Sequence, residues 1–97
     1  MRLTSQQIEI IRHAAEEAFG PNTRVLLFGS RVDDSKRGGD IDLLIRLANA
    51  DQLLARKLRF LGLLERQLGE RKIDVVIESP NDRRPIVQVA HATGVEL

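Results

Sequence analysis

Cysteine, tyrosine and tryptophan are absent from this 97-residue chain. Without cysteine, disulfide bonds and thiolate metal sites are excluded, so any metal ion must be held by oxygen ligands or by the two histidines. Oxygen ligands suit hard cations such as Mg²⁺. Because the only aromatic residues are three phenylalanines, the core must be built mainly from aliphatic side chains.

Long apolar runs and a strong charge of one sign are also missing. No run approaches the roughly 20 apolar residues of a membrane helix, and the N-terminal stretch lacks the apolar segment of a signal peptide, so we expect a cytoplasmic protein. Fifteen basic and fourteen acidic residues leave a formal charge of +1, which makes general nucleic-acid binding an unfavoured function. This length and composition predict a single domain over residues 1–97.

Apolar periodicity predicts two amphipathic helices in the first 70 residues. Thr4 and Gln7 have the spacing of a capping box at the start of the first helix. Asn49 or Asp51 is expected to cap the second helix. The leucine stripe of this second helix is interpreted as core and comprises Leu54, Leu58, Leu61, Leu64 and Leu68. Three apolar residues outside the stripe are candidates for a dimer or partner face, namely Leu53, Phe60 and Leu63.

Strands are predicted at residues 24–28, 40–47 and 72–78, and a third helix and a short last strand follow. Because a whole helix connects the second strand to the third, these two are expected to be parallel, whereas the shorter link between the first two allows an antiparallel pair. The fold class is therefore a two-layer α/β (α+β) domain, a small mixed sheet with helices packed on one face. The end of the first strand and the starts of the other two then share one sheet edge.

Three aspartates fall at this shared edge. Asp40 and Asp42 are spaced i, i+2 and point to the same face of a strand, and Asp74 has a similar position in the third strand. Three close carboxylates repel one another unless a multivalent cation lies between them, as where Mg²⁺ is bound by carboxylates and substrate phosphates. The pattern predicts a two-metal site for phosphoryl transfer. Taken alone, Asp40 could instead be an ordinary turn residue.

Gly29 and Ser30 follow the first strand directly, where a small residue would let backbone N–H groups approach a phosphate. The segment does not match the phosphate loop of the nucleoside triphosphatases, and it lacks the final glutamate of an EF-hand calcium loop. In the loop beyond it, Arg31 and the pair Lys36-Arg37 are candidate phosphate contacts. Solvated loop charges are the alternative interpretation of these basic residues.

Arg46 and Glu78 each lie four residues beyond one of the strand aspartates, on the same strand face. Parallel pairing of the two strands therefore predicts a cross-strand ion pair between them. His13 and His91 are interpreted as surface or boundary residues away from the predicted metal site.

The pattern of Gly29-Ser30, nine intervening residues, Asp40-x-Asp42 and a distal Asp74 resembles the minimal nucleotidyltransferases of the DNA polymerase β-like superfamily. The resemblance implies Mg²⁺-dependent transfer of a nucleoside monophosphate, AMP from ATP, to a hydroxyl acceptor with release of pyrophosphate. It implies that the aspartates ligate two Mg²⁺ ions, that the third aspartate also helps to activate the acceptor, and that the Gly-Ser pair holds the triphosphate. The position before the first aspartate is often serine in this family and is glycine here, which removes no metal ligand.

Small stand-alone members of this family often occur beside a HEPN-domain protein as a toxin–antitoxin pair, in some cases adenylylating a tyrosine of the partner. The resemblance therefore implies an antitoxin whose HEPN partner supplies the acceptor, since nothing after Leu97 would bind one. Two alternatives stay open, a non-catalytic antitoxin that acts by contact and a nucleic-acid-modifying transferase. Self-association into a homo-oligomer stays open as well.

Overall fold

The computed structural model describes residues 3–29, 40–47, 51–69 and 72–97. The described elements, in chain order, are α1 (Ser5–Phe19), β1 (Arg24–Phe28), β2 (Ile41–Arg46), α2 (Leu53–Leu68), β3 (Ile73–Glu78), α3 (Pro85–Thr93) and β4 (Val95–Glu96). None of these helices has the length and apolar character needed to cross a membrane.

The four strands form one mixed sheet in the order β3-β2-β1-β4. β1 pairs antiparallel with both β2 and β4, and β2 pairs parallel with β3. The predicted mixed α/β class is confirmed, as are the strand directions inferred from the lengths of the connections. β2 and β3 each begin one residue later than predicted.

Successive side chains of the strands enter two separate apolar clusters on opposite faces of the sheet. On the first face, Leu27 belongs to the cluster that contains Phe60 of α2 and the buried residues of α1. On the second face, Leu26 and Leu44 pack with Val87 of α3. The prediction of helices on one face is therefore correct for α1 and α2 and wrong for α3. Because β1 and β2 are apolar on both faces, both faces must be covered.

α2 buries a different stripe from the predicted one. Phe60 and Leu64 are fully buried, whereas Leu54 is 71% and Leu58 is 59% exposed. The interpretation of the leucine stripe as core is wrong for these two leucines, and Phe60, a candidate for a partner face, belongs to the core. Its ring packs against Phe19 of α1 with the centroids 5.3 Å apart. The remaining leucines of the helix are half-buried, namely Leu53, Leu61, Leu63 and Leu68.

The two long helices begin in different ways. At α1 the capping box is confirmed, because Thr4 Oγ1 accepts from Gln7 N at 3.0 Å and Gln7 Oε1 accepts from Thr4 N at 2.9 Å. At α2 the N-cap is Gln52, in the left-handed conformation and without a side-chain cap. The prediction of Asp51 as the cap is therefore wrong, and Asn49 lies outside the described residues.

Two substitutions on α2 test which stripe is core. We expect Leu64→Ala to lower the free energy of unfolding by about 2–5 kcal/mol, because it leaves a cavity in the core. Leu58→Ala, which removes the same atoms from an exposed position, should change it by less than about 0.5 kcal/mol. Urea unfolding followed by circular dichroism measures both values. Equal losses would contradict the observed orientation of the helix.

The turn between β3 and α3 is organised by one carboxylate. Asp82 accepts hydrogen bonds from the backbone N–H groups of Ser79 and Arg84, each at 3.1 Å, and from Arg84 Nη2 at 2.7 Å. Arg84 Nη2 also donates to the carbonyl of Ile77 at 2.7 Å. The Asp82 side chain is only 3% exposed. The turn thus fixes the direction in which α3 crosses the second face of the sheet.

These bonds favour the charged form of Asp82. The hydrogen bond from Arg84, followed by those from the backbone, holds the pKa of the Asp82 carboxyl far below its usual range. Because the pKa is lower in the folded state, the carboxylate contributes stability above its unfolded pKa, and this contribution is lost as the pH falls below about 4.

We expect Asp82→Asn to lower the melting temperature at pH 7 because the amide keeps the shape but loses the charge-assisted bonds. The difference from the wild type should shrink as the pH falls from about 4 towards 2. Thermal unfolding across this pH series checks both statements. A difference that stayed constant between pH 2 and pH 7 would contradict this role for Asp82.

Candidate active site

The second face of β2 and β3 carries one pair of side chains that repel each other. The parallel register there is Asp42↔Asp74, Leu44↔Val76 and Arg46↔Glu78. Arg46 Nε lies 3.5 Å from Glu78 Oε2, so the predicted cross-strand ion pair is confirmed. Like charges directly opposite each other destabilise a sheet. The Asp42–Asp74 pair is therefore unfavourable for folding and points to a functional site.

A third carboxylate and one ammonium lie next to this pair. Asp40 precedes β2, and its Oδ2 lies 3.7 Å from the Nζ of Lys72, which precedes β3. Ile41 N donates to the carbonyl of Lys72 at 3.1 Å, which continues the β2–β3 pairing to these residues. Because side chains alternate along each strand, Asp40 lies on the same face as Asp42. Lys72 shares the face of Asp74 for the same reason.

The surroundings of Asp42 disfavour the charged form of its carboxyl. Its half-buried position raises the pKa of its carboxyl above the usual range, and the charges of Asp74 and Asp40 raise it further. The charge of Lys72 opposes this rise, and a hydrogen bond with Asp74 adds to it. Burial and like charges are the two conditions that a bound divalent cation relieves.

Gly29 lies beside this carboxylate. Phe28 is the register partner of Asp42, and the next residue, Gly29, has a positive φ of 80°. A Cβ atom at Gly29 would collide with Oδ2 of Asp42. Glycine is therefore required here both by the backbone conformation and by the space that the carboxylate occupies. The sequence pattern indicated that Gly29 gives a phosphate access to the backbone, but it did not reveal the contact with Asp42.

Four loop residues are predicted to contact the triphosphate. Ser30, Arg31, Lys36 and Arg37 lie outside the described residues. Their assignment to triphosphate binding stays a prediction, as do the assignments of Asp40, Asp42 and Asp74 to metal binding. The structure brings these three aspartates and Gly29 to one edge of the sheet, in the arrangement expected from the strand order.

The donors at this edge fit a hard cation, because all are carboxylate oxygens. Among the described residues, no group of three or more histidine, aspartate or glutamate side chains is arranged to hold a metal ion by itself. Mg²⁺ usually binds one or two carboxylates and takes its other ligands from water and substrate phosphates. The aspartates therefore fit a site that a triphosphate completes, rather than a closed cage.

Comparison with known families agrees with this geometry. A family model described as a nucleotidyltransferase domain matches residues 8–94, which include Gly29 and the three aspartates. The chain belongs to this nucleotidyltransferase family. No match was found among curated proteins.

The histidines of this nucleotidyltransferase domain lie away from the aspartates. His13 Nε2 is 3.3 Å from Glu9 on the same helix, and His91 contacts Glu78 at the other end of β3. Sequence reasoning missed Lys72. The signal was available, because Lys72 lies two residues before Asp74 and must therefore share its face if the strand begins early enough.

Removing one charge from the Asp42–Asp74 pair should stabilise the cation-free nucleotidyltransferase. We expect Asp74→Asn to raise the free energy of unfolding by about 0.2–1 kcal/mol, because the like-charge pair is lost. Urea unfolding in the presence of EDTA measures the change. Glu78→Gln is the matched control on the same strand and face, and it should lower stability because Arg46 and His91 lose the negative charge of their partner. A loss of stability for Asp74→Asn would show that the pair is not repulsive.

Proposed function

We propose that this nucleotidyltransferase transfers a nucleoside monophosphate, AMP from ATP, to a hydroxyl acceptor in a Mg²⁺-dependent reaction. The observation that supports this most is the Asp42–Asp74 pair with Asp40 at the same edge. A sheet that keeps three carboxylates together is destabilised by them unless a cation binds. A triphosphate then supplies the remaining oxygen ligands that Mg²⁺ requires.

Each described residue has a proposed role in this reaction. Asp40 and Asp42 would hold two Mg²⁺ ions, and Asp74 would complete one of the two sites. When bound, the ions would neutralise charge on the phosphates and orient the triphosphate. Gly29 leaves room for the Asp42 carboxylate. With Ser30, and with Arg31 and Arg37 of the loop, it is proposed to contact the triphosphate.

The transfer itself exchanges one phosphorus–oxygen bond for another. The acceptor hydroxyl oxygen forms a bond to the α-phosphorus, and the bond from that phosphorus to the bridging oxygen of the β-phosphate breaks, which releases pyrophosphate. The hydroxyl proton moves to Asp74. This role is assigned to Asp74 because it is the exposed acid, whereas Asp40 and Asp42 are half-buried. An acceptor can therefore approach Asp74 from solvent.

We further propose that the acceptor is a tyrosine of a HEPN-domain toxin and that this cytoplasmic protein acts as its antitoxin. Membership of the nucleotidyltransferase family supports transfer in general. The choice of partner rests on the resemblance of the Gly-Ser and Asp-x-Asp motifs to the minimal nucleotidyltransferases. The exposed position of Asp74 leaves the site open to a protein side chain.

Transfer of label from α-³²P-ATP tests the reaction and the acceptor together. The protein is incubated with Mg²⁺, labelled ATP and the product of the adjacent reading frame, and we expect label on a tyrosine of that product. The double variant Asp40→Ala, Asp42→Ala should reduce labelling by more than about 100-fold. Mutation of residues that only hydrogen-bond to metal ligands already costs about 10–100-fold, and loss of the ligands themselves should cost more. Glu16→Ala, which removes an exposed carboxylate on α1, is the control and should label as the wild type does.

Two outcomes would replace the proposal. No label from the wild type, together with full neutralisation of the partner by the double variant, would identify an antitoxin that acts by contact alone. Label on RNA ends but not on protein would identify a nucleic-acid-modifying transferase. Chelation of Mg²⁺ by EDTA should abolish the labelling that the wild type shows.

A further inference from the structure

Lys72 is the basic residue that, among the described side chains, forms an ion pair with one of the three aspartates. Its Nζ lies 3.7 Å from Oδ2 of Asp40, the same carboxylate that the proposed function assigns to a cation. Two positive charges cannot share one carboxylate oxygen without repelling each other. The ammonium and a divalent cation are therefore competitors at Asp40.

The main chain and the side chain of Lys72 have different freedom. The Lys72 carbonyl accepts a hydrogen bond from Ile41 N at 3.1 Å, so the backbone is held at the edge of the sheet. The side chain is 69% exposed, and its Nζ forms an ion pair with Asp40. A long exposed lysine side chain can change its rotamer at little cost. The ammonium can thus leave Asp40 while its anchor stays in place.

The charge of Lys72 also reaches a second acid of the site. It lowers the pKa of the Asp42 carboxyl, in opposition to burial and to the charges of Asp74 and Asp40. Lys72 therefore offsets part of the repulsion within the cluster of carboxylates when no cation is bound. A divalent cation would offset the same repulsion more strongly, because it carries twice the charge.

We propose that Lys72 takes the place of the divalent cation at Asp40 in the cation-free protein and must leave this carboxylate when the cation binds. The inference rests on the proposed function, because it takes Asp40 as a cation ligand. Lys72 is in this sense a positioning residue: it holds the acidic edge together before the cation arrives and weakens the binding of a cation on its own.

Binding of Mn²⁺ in the absence of nucleotide tests this competition. The free-ion signal in electron paramagnetic resonance gives the affinity for wild type, Lys72→Gln, Lys72→Arg and Lys57→Gln at low salt. We expect Lys72→Gln to bind Mn²⁺ roughly three- to tenfold more tightly, the size of a charge repulsion across a few ångströms of a solvated site. The gain should shrink at 1 M KCl because salt screens the repulsion.

The other two variants separate the charge of Lys72 from its surroundings. Lys72→Arg keeps the positive charge and should bind Mn²⁺ as the wild type does. Lys57→Gln makes the same change of net charge on α2, which packs on the opposite face of the sheet, and should leave the affinity unchanged. A purely structural ion pair would alter the melting temperature of Lys72→Gln without tightening Mn²⁺ binding.

Mn²⁺ binding by these variants distinguishes failure of the role of Lys72 from failure of Asp40 as a cation ligand. Unchanged or weaker Mn²⁺ binding by Lys72→Gln, with a wild-type circular dichroism spectrum, overturns the role of Lys72 and leaves the proposed function standing. If the wild type binds no Mn²⁺, or if Asp40→Asn binds it equally well, the assignment of Asp40 as a ligand fails and the role of Lys72 fails with it.

Discussion

Repulsion between Asp42 and Asp74 is the constraint around which the candidate site is arranged. The two carboxylates face each other across parallel strands, one half-buried and one exposed. Gly29 leaves space for the Asp42 carboxylate, and Lys72 supplies a partial counter-charge through Asp40. A sheet optimised for stability alone would place complementary side chains at this pair, as it does with Arg46 and Glu78 further along the same strands. Functional sites are where proteins retain such local conflicts.

The rest of the fold keeps this conflict at an open edge. α1 and α2 cover the first face and bury Phe60 and Leu64 there, so the sheet packs on an apolar core. α3 covers the apolar part of the second face through Val87 and Ala90. Its path across that face begins at the turn held by Asp82. As a result, the aspartates lie on a sheet that is packed against helices, while Asp74 remains accessible to solvent.

Membership of the nucleotidyltransferase family and the geometry of the edge support the same chemistry from independent directions. Family membership establishes nucleotidyl transfer as the general function, and the arrangement of the carboxylates supplies a physical reason for it. Mg²⁺ needs few protein ligands because phosphate oxygens and water complete its shell. Among the described residues the three aspartates form no closed cage, which fits the proposed cation that binds together with a triphosphate. In the proposed function, a partner would bring the acceptor to the exposed side of Asp74.

Local patterns in the sequence determined the capping box at Thr4, because it follows from the spacing of hydrogen-bonding residues. They also determined the strands and the common face of Asp40 and Asp42, because side chains alternate along a strand. The strand directions followed from the lengths of the connections. Tertiary structure alone decided which apolar stripe of α2 is buried, because the helix carries leucines on more than one side and only packing against Phe19 selects Phe60. It also decided that α3 crosses to the second face, that Gly29 clears a carboxylate, and that an ammonium lies beside Asp40. These are contacts between residues distant in the chain, which no local spacing encodes.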